Sequence, residues 1–502
     1  MSIITSIDWI DERATDNLAA SSGGPDAEFG ATEAVIAVKP PQLPGATRLA
    51  GHAGAFGEDA LAFYTRCEQF AGLVEIRVWH RRAFVATDPQ VIDEILRKKN
   101  DDFAKPLGLE VVRAAFGNGL LTAEHDVWVH NRRMIQPAFQ PKKLEGYAAV
   151  AYRIASERFE LLPAHSKVDI HHELVVLCMH ILMETLFGDS ERAGLPLIFE
   201  LTDAVQDFTL DYSKLGFPPL PTLMPTVSNL RFRRAVRAVD RWLNALILER
   251  RNARDTSHGL LALMMNARDA QGVGLSDRQL RDEMVTMFLA GHETVAAALS
   301  WTIELLAEHN HVQARLIEVI DEQTQSGRPP WGDHIPLLAA VIDEGLRLYP
   351  PVYRVGRRAL RTCDIAGYAI PKGANVLIPQ WAVQRSPRHF PDPLAFRPER
   401  WTAEFRAALP RFAYFPFGGG PRVCPGAGFS AREMGMVVSA LLERVTVSPV
   451  GAPQRAPFQG LTLTPRDGSL ELFVKPRAVR PLRRSQVSVP PTSHSGSPSR
   501  AT

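Results

Sequence analysis

A cysteine near the end of the chain lies in a setting that suits a metal-binding thiolate. Cys424 follows three consecutive glycines and directly precedes a predicted helix, and Arg422 stands two positions before it. Glycines let the backbone pass close to a flat ligand, while amides of the loop and of the helix N-terminus favour a thiolate by lowering the cysteine pKa. An arginine can pair with an anionic group on the ligand. The segment 417–426 therefore predicts that Cys424 holds the iron of haem, whose propionates supply the anionic groups.

The same loop allows three other interpretations. A lone cysteine is most often a buried structural residue. Residues 426–431 match the GxGxxA fingerprint of dinucleotide-binding proteins, but a loop rich in proline and glycine precedes them where that motif requires a strand. The three glycines also lack the Gly-Lys-Ser/Thr sequence of a phosphate-binding loop. The spacing FxxGxRxCxG favours the haem thiolate over all three.

A second chemical motif, residues 290–294 (Ala-Gly-His-Glu-Thr), lies in the middle of a long apolar helix. Glycine weakens a helix by roughly 1 kcal/mol relative to alanine, and Thr294 can take a backbone carbonyl out of the helical ladder. An acid and an alcohol at such a point can relay protons from water to bound oxygen, although a Glu-Thr pair in a helix is often incidental. We interpret His292 as a spacer and not as a ligand.

An acid and a base follow one turn apart on another predicted helix. Glu344 and Arg347 are surrounded by Val341, Ile342, Leu346 and Leu348, which predicts that the pair is partly buried. A buried ion pair needs further partners to offset the loss of hydration. Arg400, in the segment 396–401, is a candidate third member.

The elements that must position these residues are predicted to be mostly helical, with small sheets. The clearest helix begins at a capping box of Ser276 and Gln279 and continues to about His309. Its middle is apolar on nearly every side, which predicts a helix through the interior. The other predicted elements are a strand and turn at 75–86, helices at 89–98, 336–348 and 427–444, strands at 352–359, 368–370 and 376–378, and an irregular stretch at 386–401.

Composition is that of a soluble globular protein, with 502 residues of which 45% are hydrophobic and 22% charged. A formal charge of +2 without a lysine or arginine stripe argues against a nucleic-acid partner. The four cysteines have no CxxC pair, which argues against a zinc knuckle or a disulfide framework and favours a reducing cytosol. We expect a flexible leader at 1–44, one domain at 45–476 and a disordered tail at 477–502.

The chain shows no signal for export or anchoring. Its N-terminus carries acids where a secretory signal carries bases. The longest apolar segment, 174–187, is interrupted by His180 and Glu184 and falls short of the ~20 residues that a membrane span needs. We therefore expect a cytoplasmic protein without a transmembrane anchor, and a buried core helix at 174–187.

Taken together, the motifs make the chain resemble the cytochrome P450 family over roughly residues 45–475. They stand in the family's order: 290–294, Glu344 with Arg347, 396–401 and 417–426. The resemblance implies a mainly α fold with small β-sheets, a single triangular domain with haem between the long central helix and the cysteine loop. It also implies haem b with Cys424 as axial thiolate and metal ligand, and a structural triad of Glu344, Arg347 and Arg400.

Further site residues are carried over from the family's motifs by position. Trp128 and Arg132 match the WxxxR pattern of the helix beside the haem and are expected to meet a propionate. Arg357 falls where the family places another propionate-binding arginine, with Arg358 as the alternative. One departure is residues 384–387, where Gln-Arg-Ser-Pro replaces the more usual His-Arg-Asp-Pro. The expected cofactor-binding residues are Cys424, Arg422, Trp128, Arg132, Arg357 and Phe417.

The resemblance implies a monooxygenase that inserts one oxygen atom of O2 into a C–H or C=C bond of a lipophilic substrate. Glu293 and Thr294 are the expected catalytic residues, because they would carry protons. The sequence contains no recognisable flavin or iron–sulfur segment, so the two electrons are expected from a separate ferredoxin or flavodoxin. A docking patch for an acidic donor, or merely a solvated face, is formed by Arg132, Arg133, Lys142 and Lys143.

The substrate and two alternative functions remain open at this point. A lipophilic pocket, or ordinary packing, is predicted by Phe208, Leu210, Tyr212, Leu215, Phe217 and Leu220. Terpenoids, fatty acids, steroids and xenobiotics all fit such a pocket. The alternatives are a haem-thiolate enzyme that uses peroxide or rearranges a hydroperoxide, against which the Glu-Thr pair argues, and a non-catalytic haem sensor.

Overall fold

The computed structural model describes residues 38–477 except 71, 107–108, 110–111, 189–193, 216–225, 254–258, 327–334 and 452–455. The described part is mainly helical with small sheets, as predicted. Its helices are α1 Ala53–Glu58, α2 Ala60–Glu68, α3 Pro89–Asp93, α4 Arg113–Phe116, α5 His125–Ile135, α6 Pro141–Glu160, α7 Ile170–Phe187, α8 Leu195–Leu215, α9 Val227–Asn252, α10 Leu260–Asn266, α11 Asp277–Glu308, α12 Asn310–Gln325, α13 Pro336–Leu348, α14 Gln380–Val383, α15 Ala403–Ala408 and α16 Ala427–Arg444. Its strands are β1 Leu73–Val78, β2 Arg81–Ala86, β3 Phe103–Ala104, β4 Ser166–Asp169, β5 Val355–Ala359, β6 Cys363–Ile365, β7 Tyr368–Ile370, β8 Asn375–Ile378, β9 Val445–Pro449, β10 Phe458–Gln459, β11 Leu463–Thr464 and β12 Glu471–Pro476.

Helix α11 passes through the interior, as its apolar sequence predicts. The Ser276 hydroxyl accepts a hydrogen bond from the Gln279 amide, and the Gln279 side chain accepts one from the Ser276 amide, which confirms the capping box. The helix packs against α7, α13 and α16. Its residues up to Leu289 belong to one hydrophobic cluster and those from Val295 onward to another. Residues 290–294 therefore lie at the seam between two parts of the core.

A five-stranded sheet lies beside the helices, in the order β1-β2-β8-β5-β3. The predicted strand and turn at 75–86 is the antiparallel hairpin of β1 and β2. Strand β5 begins at Val355 and not at 352, and it pairs Arg357 with Val376 of β8. The predicted helix at 89–98 is α3 followed by a π-helical turn, Glu94–Lys98. This sheet carries Arg357 toward the candidate site.

A second sheet, in the order β4-β12-β9, is not predicted by the sequence pattern. Its strands are short, and β12 pairs with β4 and β9, which come from distant parts of the chain. An alternation of apolar and polar residues over only four to six positions is a weak signal for a strand, because the same pattern also fits a turn of helix.

The ends of the described chain join the fold. Residues 38–44 of the predicted leader are described: Leu43 is buried, and Gln42 pairs with Glu75. The rest of the predicted leader, 1–37, and the tail beyond Arg477 lie outside the described residues. Among the described helices, α7 is long and apolar enough to cross a membrane by length and composition, but most of it is buried in the core. This agrees with the core helix predicted at 174–187.

Candidate active site

The cysteine loop is a tightly folded turn that only glycines allow. Gly418 and Gly420 have φ angles of 75° and 69°, in the left-handed region that disfavours side chains. A Cβ atom on Gly420 would lie 1.8 Å from the carbonyl oxygen of Leu96. The loop closes where the Cys424 amide donates to the Phe417 carbonyl at 3.0 Å. The glycines therefore serve both the turn and the close approach to a neighbouring segment.

The Cys424 thiol is solvent-accessible, yet burial raises its pKa above the ordinary value of a cysteine. A thiol that is accessible but desolvated by the surrounding protein faces an interior space. The sequence predicted that the loop amides lower the pKa. The amides of Gly426 and Ala427 and the charge of Arg132 do lower it, but burial is the larger effect. The predicted effect of the amides is therefore present, but the pKa of the thiol in the chain by itself stays above its ordinary value because burial outweighs that effect.

Part of the seam on α11 is also accessible to solvent. Ala290 is exposed and Thr294 half-buried, although Leu289 and Val295 beside them are 7% and 3% exposed. The Thr294 hydroxyl donates to the Ala290 carbonyl at 2.7 Å, as the sequence predicts. A Cβ atom on Gly291 would meet the Leu182 side chain of α7 at 3.2 Å, so the close packing of α7 and α11 explains this glycine.

Glu293 is directed toward two other elements. Its Oε1 accepts a hydrogen bond from the Gln206 amide of α8 at 2.6 Å and one from the Thr462 hydroxyl at 2.5 Å. Burial raises the pKa of Glu293, and these two hydrogen bonds partly offset the increase. The carboxyl group thus joins α11 to α8 and to the turn between β10 and β11, a role that the sequence does not reveal.

His292 and Phe208 are both buried and pack inside the protein, which is a role that the sequence allows for each of them. The His292 ring is buried, and its Nδ1 lies 2.6 Å from the Phe288 carbonyl of its own helix, in keeping with a spacer. Phe208 is buried and stacks on Phe232 of α9, with ring centroids 4.6 Å apart. Of the other predicted pocket residues, Phe217 and Leu220 lie outside the described residues, and the side chains of Leu210, Tyr212 and Leu215 are not described.

A group of charged side chains lies beside the cysteine loop. The Arg422 guanidinium donates to the Glu124 carboxylate and to the Ala123 carbonyl, and it lies 4.9 Å from the centre of the Trp128 ring. The Lys105 amide donates to Glu124 Oε1 at 2.6 Å. Trp128 and Arg422, both predicted to bind cofactor, are thus in contact. Lys105 and Glu124 belong to the same group, although the sequence did not predict them.

Positive charge exceeds negative charge in this group. Burial, together with Arg422 and Arg357, lowers the pKa of Lys105 to about 7. Burial and then Arg422 lower the pKa of Arg357 to about 10. Arg357 Nε has no hydrogen-bond partner among the described residues. Two desolvated guanidiniums and the partly charged Lys105 lie close to the carboxylate of Glu124. This arrangement fits a further anionic group, and the propionates of haem are such groups.

Arg132, from α5, and Phe417, from the loop itself, fasten the loop to the rest of the protein. Arg132 Nη1 donates to the Val423 carbonyl at 3.0 Å, which ties α5 to the residue before Cys424. The half-buried Phe417 ring packs against the core. The accessible thiol, the surplus of positive charge and this support of the loop together fit a haem held by Cys424.

The predicted triad is formed and is larger than predicted. Glu344 Oε2 accepts from Arg347 Nε at 2.8 Å and Oε1 from Arg400 Nε at 3.0 Å, with the Glu344 and Arg347 side chains fully buried. Trp401 Nε1 and the Arg397 amide also donate to Glu344, both at 2.9 Å. The carboxylate is therefore surrounded by donors, as a buried charge requires.

The segment 384–387, where Gln-Arg-Ser-Pro replaces the more usual His-Arg-Asp-Pro, connects the triad to the cysteine loop. Gln384 is fully buried, and its Nε2 donates to the Leu346 carbonyl of α13 at 3.0 Å. Its Oε1 accepts from the Phe415 amide at 3.0 Å, just before the loop. A glutamine side-chain amide supplies both a donor and an acceptor. Gln384 therefore joins α13 to the residue before the cysteine loop without the histidine of the more usual sequence.

Comparisons with known proteins agree with this geometry. The sequence model of the family described as Cytochrome P450 matches residues 41–472. Pentalenene oxygenase of Streptomyces avermitilis is 31% identical over 418 residues, which cover 81% of this chain and 91% of the relative. Cyclooctat-9-en-7-ol 5-monooxygenase of Streptomyces melanosporofaciens is 31% identical over 414 residues, covering 81% and 89%. The solved cytochrome P450DA heme domain superposes with a TM-score of 0.77 at 25% identity, covering 88% of this chain and 98% of that chain.

Proposed function

Because the chain belongs to the cytochrome P450 family and is thus a haem-thiolate monooxygenase, we propose how its residues and partners carry out that reaction. Cys424 is the axial ligand, and the substrate is a lipophilic, largely hydrocarbon molecule that is hydroxylated or epoxidised beside the seam of α11. A ferredoxin or flavodoxin type donor supplies electrons in the cytoplasm. The observation that carries the proposal is the accessible Cys424 thiol next to a surplus of buried positive charge.

The cations beside the loop bind and orient the cofactor. Arg357 and Arg422 each offer guanidinium donors to a propionate, and the Trp128 ring holds the Arg422 guanidinium in place. Lys105, whose pKa is about 7 and whose ammonium donates to the Leu120 and Leu121 carbonyls, adds a partly charged third group to this set. Haem bound through a cysteine thiolate supplies the activation of O2.

Thr294 and Glu293 handle protons at the seam. The Thr294 hydroxyl, now donating to Ala290, can turn toward a water in the accessible space and pass on a proton. Glu293 has a raised pKa and so keeps a proton available at higher pH than an exposed glutamate. Its carboxyl group has to break its hydrogen bonds with Gln206 and Thr462 before it can turn toward the seam.

Names of the relatives support the substrate class. One is named for pentalenene and another for an alkenol, cyclooctat-9-en-7-ol, which are molecules with few polar groups by their names. The exposed Ala290 and the apolar neighbours on α11 offer such a molecule a surface without charge. We therefore prefer a cyclic unsaturated hydrocarbon or its alcohol to a fatty acid.

The ligand assignment is tested by the spectrum of the reduced protein with carbon monoxide. We expect the red-shifted Soret band of a thiolate-bound haem in the wild type and its loss in Cys424→Ala. Cys363→Ala is the matched control, because Cys363 is a half-buried cysteine outside the loop. A Cys424→Ala protein that keeps the band would contradict the assignment.

The substrate class is tested by the spin state of the resting protein. Cyclic alkenes and their alcohols should shift the Soret band at lower concentration than fatty acids of equal carbon number. The opposite order would refute the hydrocarbon preference. Turnover that needs O2 and reductant, and that peroxide does not replace, would exclude the peroxide-using alternative.

Thr294→Ala should uncouple oxygen use from product formation. Removal of the hydroxyl takes away a proton donor at the accessible part of the seam, while alanine keeps the helix intact. We expect reductant consumption to continue and product per electron pair to fall about tenfold or more. Unchanged coupling would remove Thr294 from the proton route.

A further inference from the structure

Helix α9 carries an unusual exposed stripe. Its members recur at alternating intervals of three and four positions, so they lie on one face of the helix. All of them are exposed: Val227, Leu230, Arg234, Arg237, Arg241, Asn244 and Leu248. We call this set the α9 stripe. It is apolar at both ends and positive in the middle.

A groove of about 820 Å³ follows the positive part of the stripe, lined by Leu230, Arg233, Arg234, Arg237, Asp240 and Arg241. Asp240 is the one acid among the described residues of this lining, and it is already engaged, since its Oδ1 accepts from Arg281 Nε at 2.6 Å. Three acids of α8 that face α9, Glu200, Asp203 and Asp207, share the single guanidinium of Arg231, and Glu200 also lies close enough to Arg234 for their charges to interact.

The positive charge of the groove is only partly compensated within the part of the chain that the structure describes, by Asp240 and by the charge of Glu200 near Arg234. Arg233, Arg234, Arg237 and Arg241 form no ion pair there, and Arg241 Nε donates only to the Arg237 carbonyl, at 3.3 Å. Arginines one turn apart repel each other and weaken a helix slightly. An external anion would relieve this repulsion.

The apolar ends indicate what kind of anion. Val227 and Leu230 are 85% and 50% exposed, and Leu248 at the other end is 57% exposed. A row of arginines flanked by exposed aliphatic side chains is the pattern of a helix that lies flat on a bilayer, with guanidiniums at the phosphates and aliphatic groups below them. An acidic protein would match the arginines but would leave the aliphatic ends without a role.

We propose that the α9 stripe seats the protein on the surface of an anionic phospholipid bilayer, with the axis of α9 parallel to the membrane plane. The stripe from Val227 to Leu248 spans roughly 30 Å at the rise of an α-helix, enough to contact several headgroups. Such peripheral binding needs no spanning segment. It places the enzyme where lipophilic molecules accumulate, and it does not depend on the proposed substrate.

Vesicle sedimentation tests the proposal with the full-length, haem-loaded protein. We expect binding to vesicles of phosphatidylcholine with one third phosphatidylglycerol, and little binding to pure phosphatidylcholine. Each arginine near an anionic surface contributes about a fivefold factor in partitioning. The variant Arg234→Gln, Arg237→Gln, Arg241→Gln should therefore bind on the order of a hundredfold more weakly.

The matched control removes the same charge elsewhere, at three exposed arginines outside α9: Arg48→Gln, Arg81→Gln and Arg466→Gln. It should bind vesicles like the wild type, and Leu230→Ser with Leu248→Ser should weaken binding with all charges kept. The carbon monoxide spectrum of each variant checks that it is folded. No binding of the wild type to anionic vesicles, as expected if the stripe serves an acidic protein, or equal losses in both triple variants, would overturn the proposal.

Discussion

Arg357 and Arg358 are neighbours on β5 whose side chains have different surroundings. Arg357 is 9% exposed and lies close enough to Arg422 for their charges to interact, whereas Arg358 is half-buried. Alternation along a strand directs the two side chains to opposite faces of the sheet. The sequence allowed either residue to bind a propionate, and we propose Arg357 because it is buried beside Arg422.

Arg357→Gln should weaken haem binding, because it removes a charged hydrogen-bond donor of the cluster. Such a bond contributes roughly 1.5–3 kcal/mol, so transfer of haem to apomyoglobin should be about tenfold faster or more. Arg358→Gln is the matched control and should change the rate little. Equal rates for the two variants, or a larger effect of Arg358→Gln, would assign the propionate to the other arginine.

Single residues of the site could be predicted from the sequence where the motif that identifies them lies within a few consecutive positions. Cys424 and its loop lie within ten residues, and the Glu344 and Arg347 pair lies within one turn. Lys105 and Glu124, by contrast, join the cluster only because the fold brings their segments to the cysteine loop. The same holds for Gln206 and Thr462 around Glu293, since each is distant in sequence and has no motif of its own.

At the scale of elements, Glu283 is a junction between α11, α5 and the segment between α4 and α5. Its side chain is fully buried and accepts from the Leu120 amide at 3.0 Å and from Asn131 Nδ2 at 2.7 Å. Burial raises the pKa of Glu283 to about 7; Asp282 raises it further and Lys105 lowers it. Since α5 carries Trp128 and Arg132, this carboxyl group helps to position the cofactor-binding side chains.

The raised pKa makes the stability of this junction depend on pH. Between the ordinary pKa of a glutamate, 4.5, and about 7, the folded protein retains the proton that the unfolded chain releases. The free energy of unfolding therefore falls as pH rises through this window, by roughly 3 kcal/mol in total. Glu283→Gln, which resembles the protonated acid, should lack this contribution.

We expect the stability of Glu283→Gln relative to wild type to increase from pH 4.5 to about 7 and to stay constant above it. Urea unfolding of the two proteins at a series of pH values measures this difference. Glu58→Gln, at an exposed glutamate, controls for the loss of one charge. A difference that does not change with pH would show that folding does not raise the pKa of Glu283.

Elements with their own sequence signals were predicted well. Helix α11 has a capping box and an apolar middle, and α13 ends where Pro350 and Pro351 follow. The sheet of β4, β12 and β9 was missed because its strands are short and their partners are far apart in the chain. Strand β5 begins three residues later than predicted, because a bend at 351–352 and two irregular residues precede it.

At the scale of the whole molecule, electrons have to reach the cysteine loop from outside. The first turn of α6 lies over the start of α16, where Leu144 comes within 3.0 Å of the position of a Cβ on Gly428. Lys142 is exposed and Lys143 half-buried on this turn, beside the segment that follows Cys424. We therefore propose that the basic patch of Arg132, Arg133, Lys142 and Lys143 receives an acidic electron donor.

Reversal of two charges tests this patch without touching the residues that contact the loop. Lys142→Glu with Lys143→Glu should slow reduction by an acidic ferredoxin about tenfold at low ionic strength, because attraction becomes repulsion. The difference should shrink as salt shortens the range of the interaction to about 3 Å at 1 M. The matched control, Lys39→Glu with Lys372→Glu, reverses two exposed lysines outside α5, α6 and the cysteine loop. If both double variants slow reduction equally, net charge and not the patch controls the encounter; if neither does, the donor approaches another face.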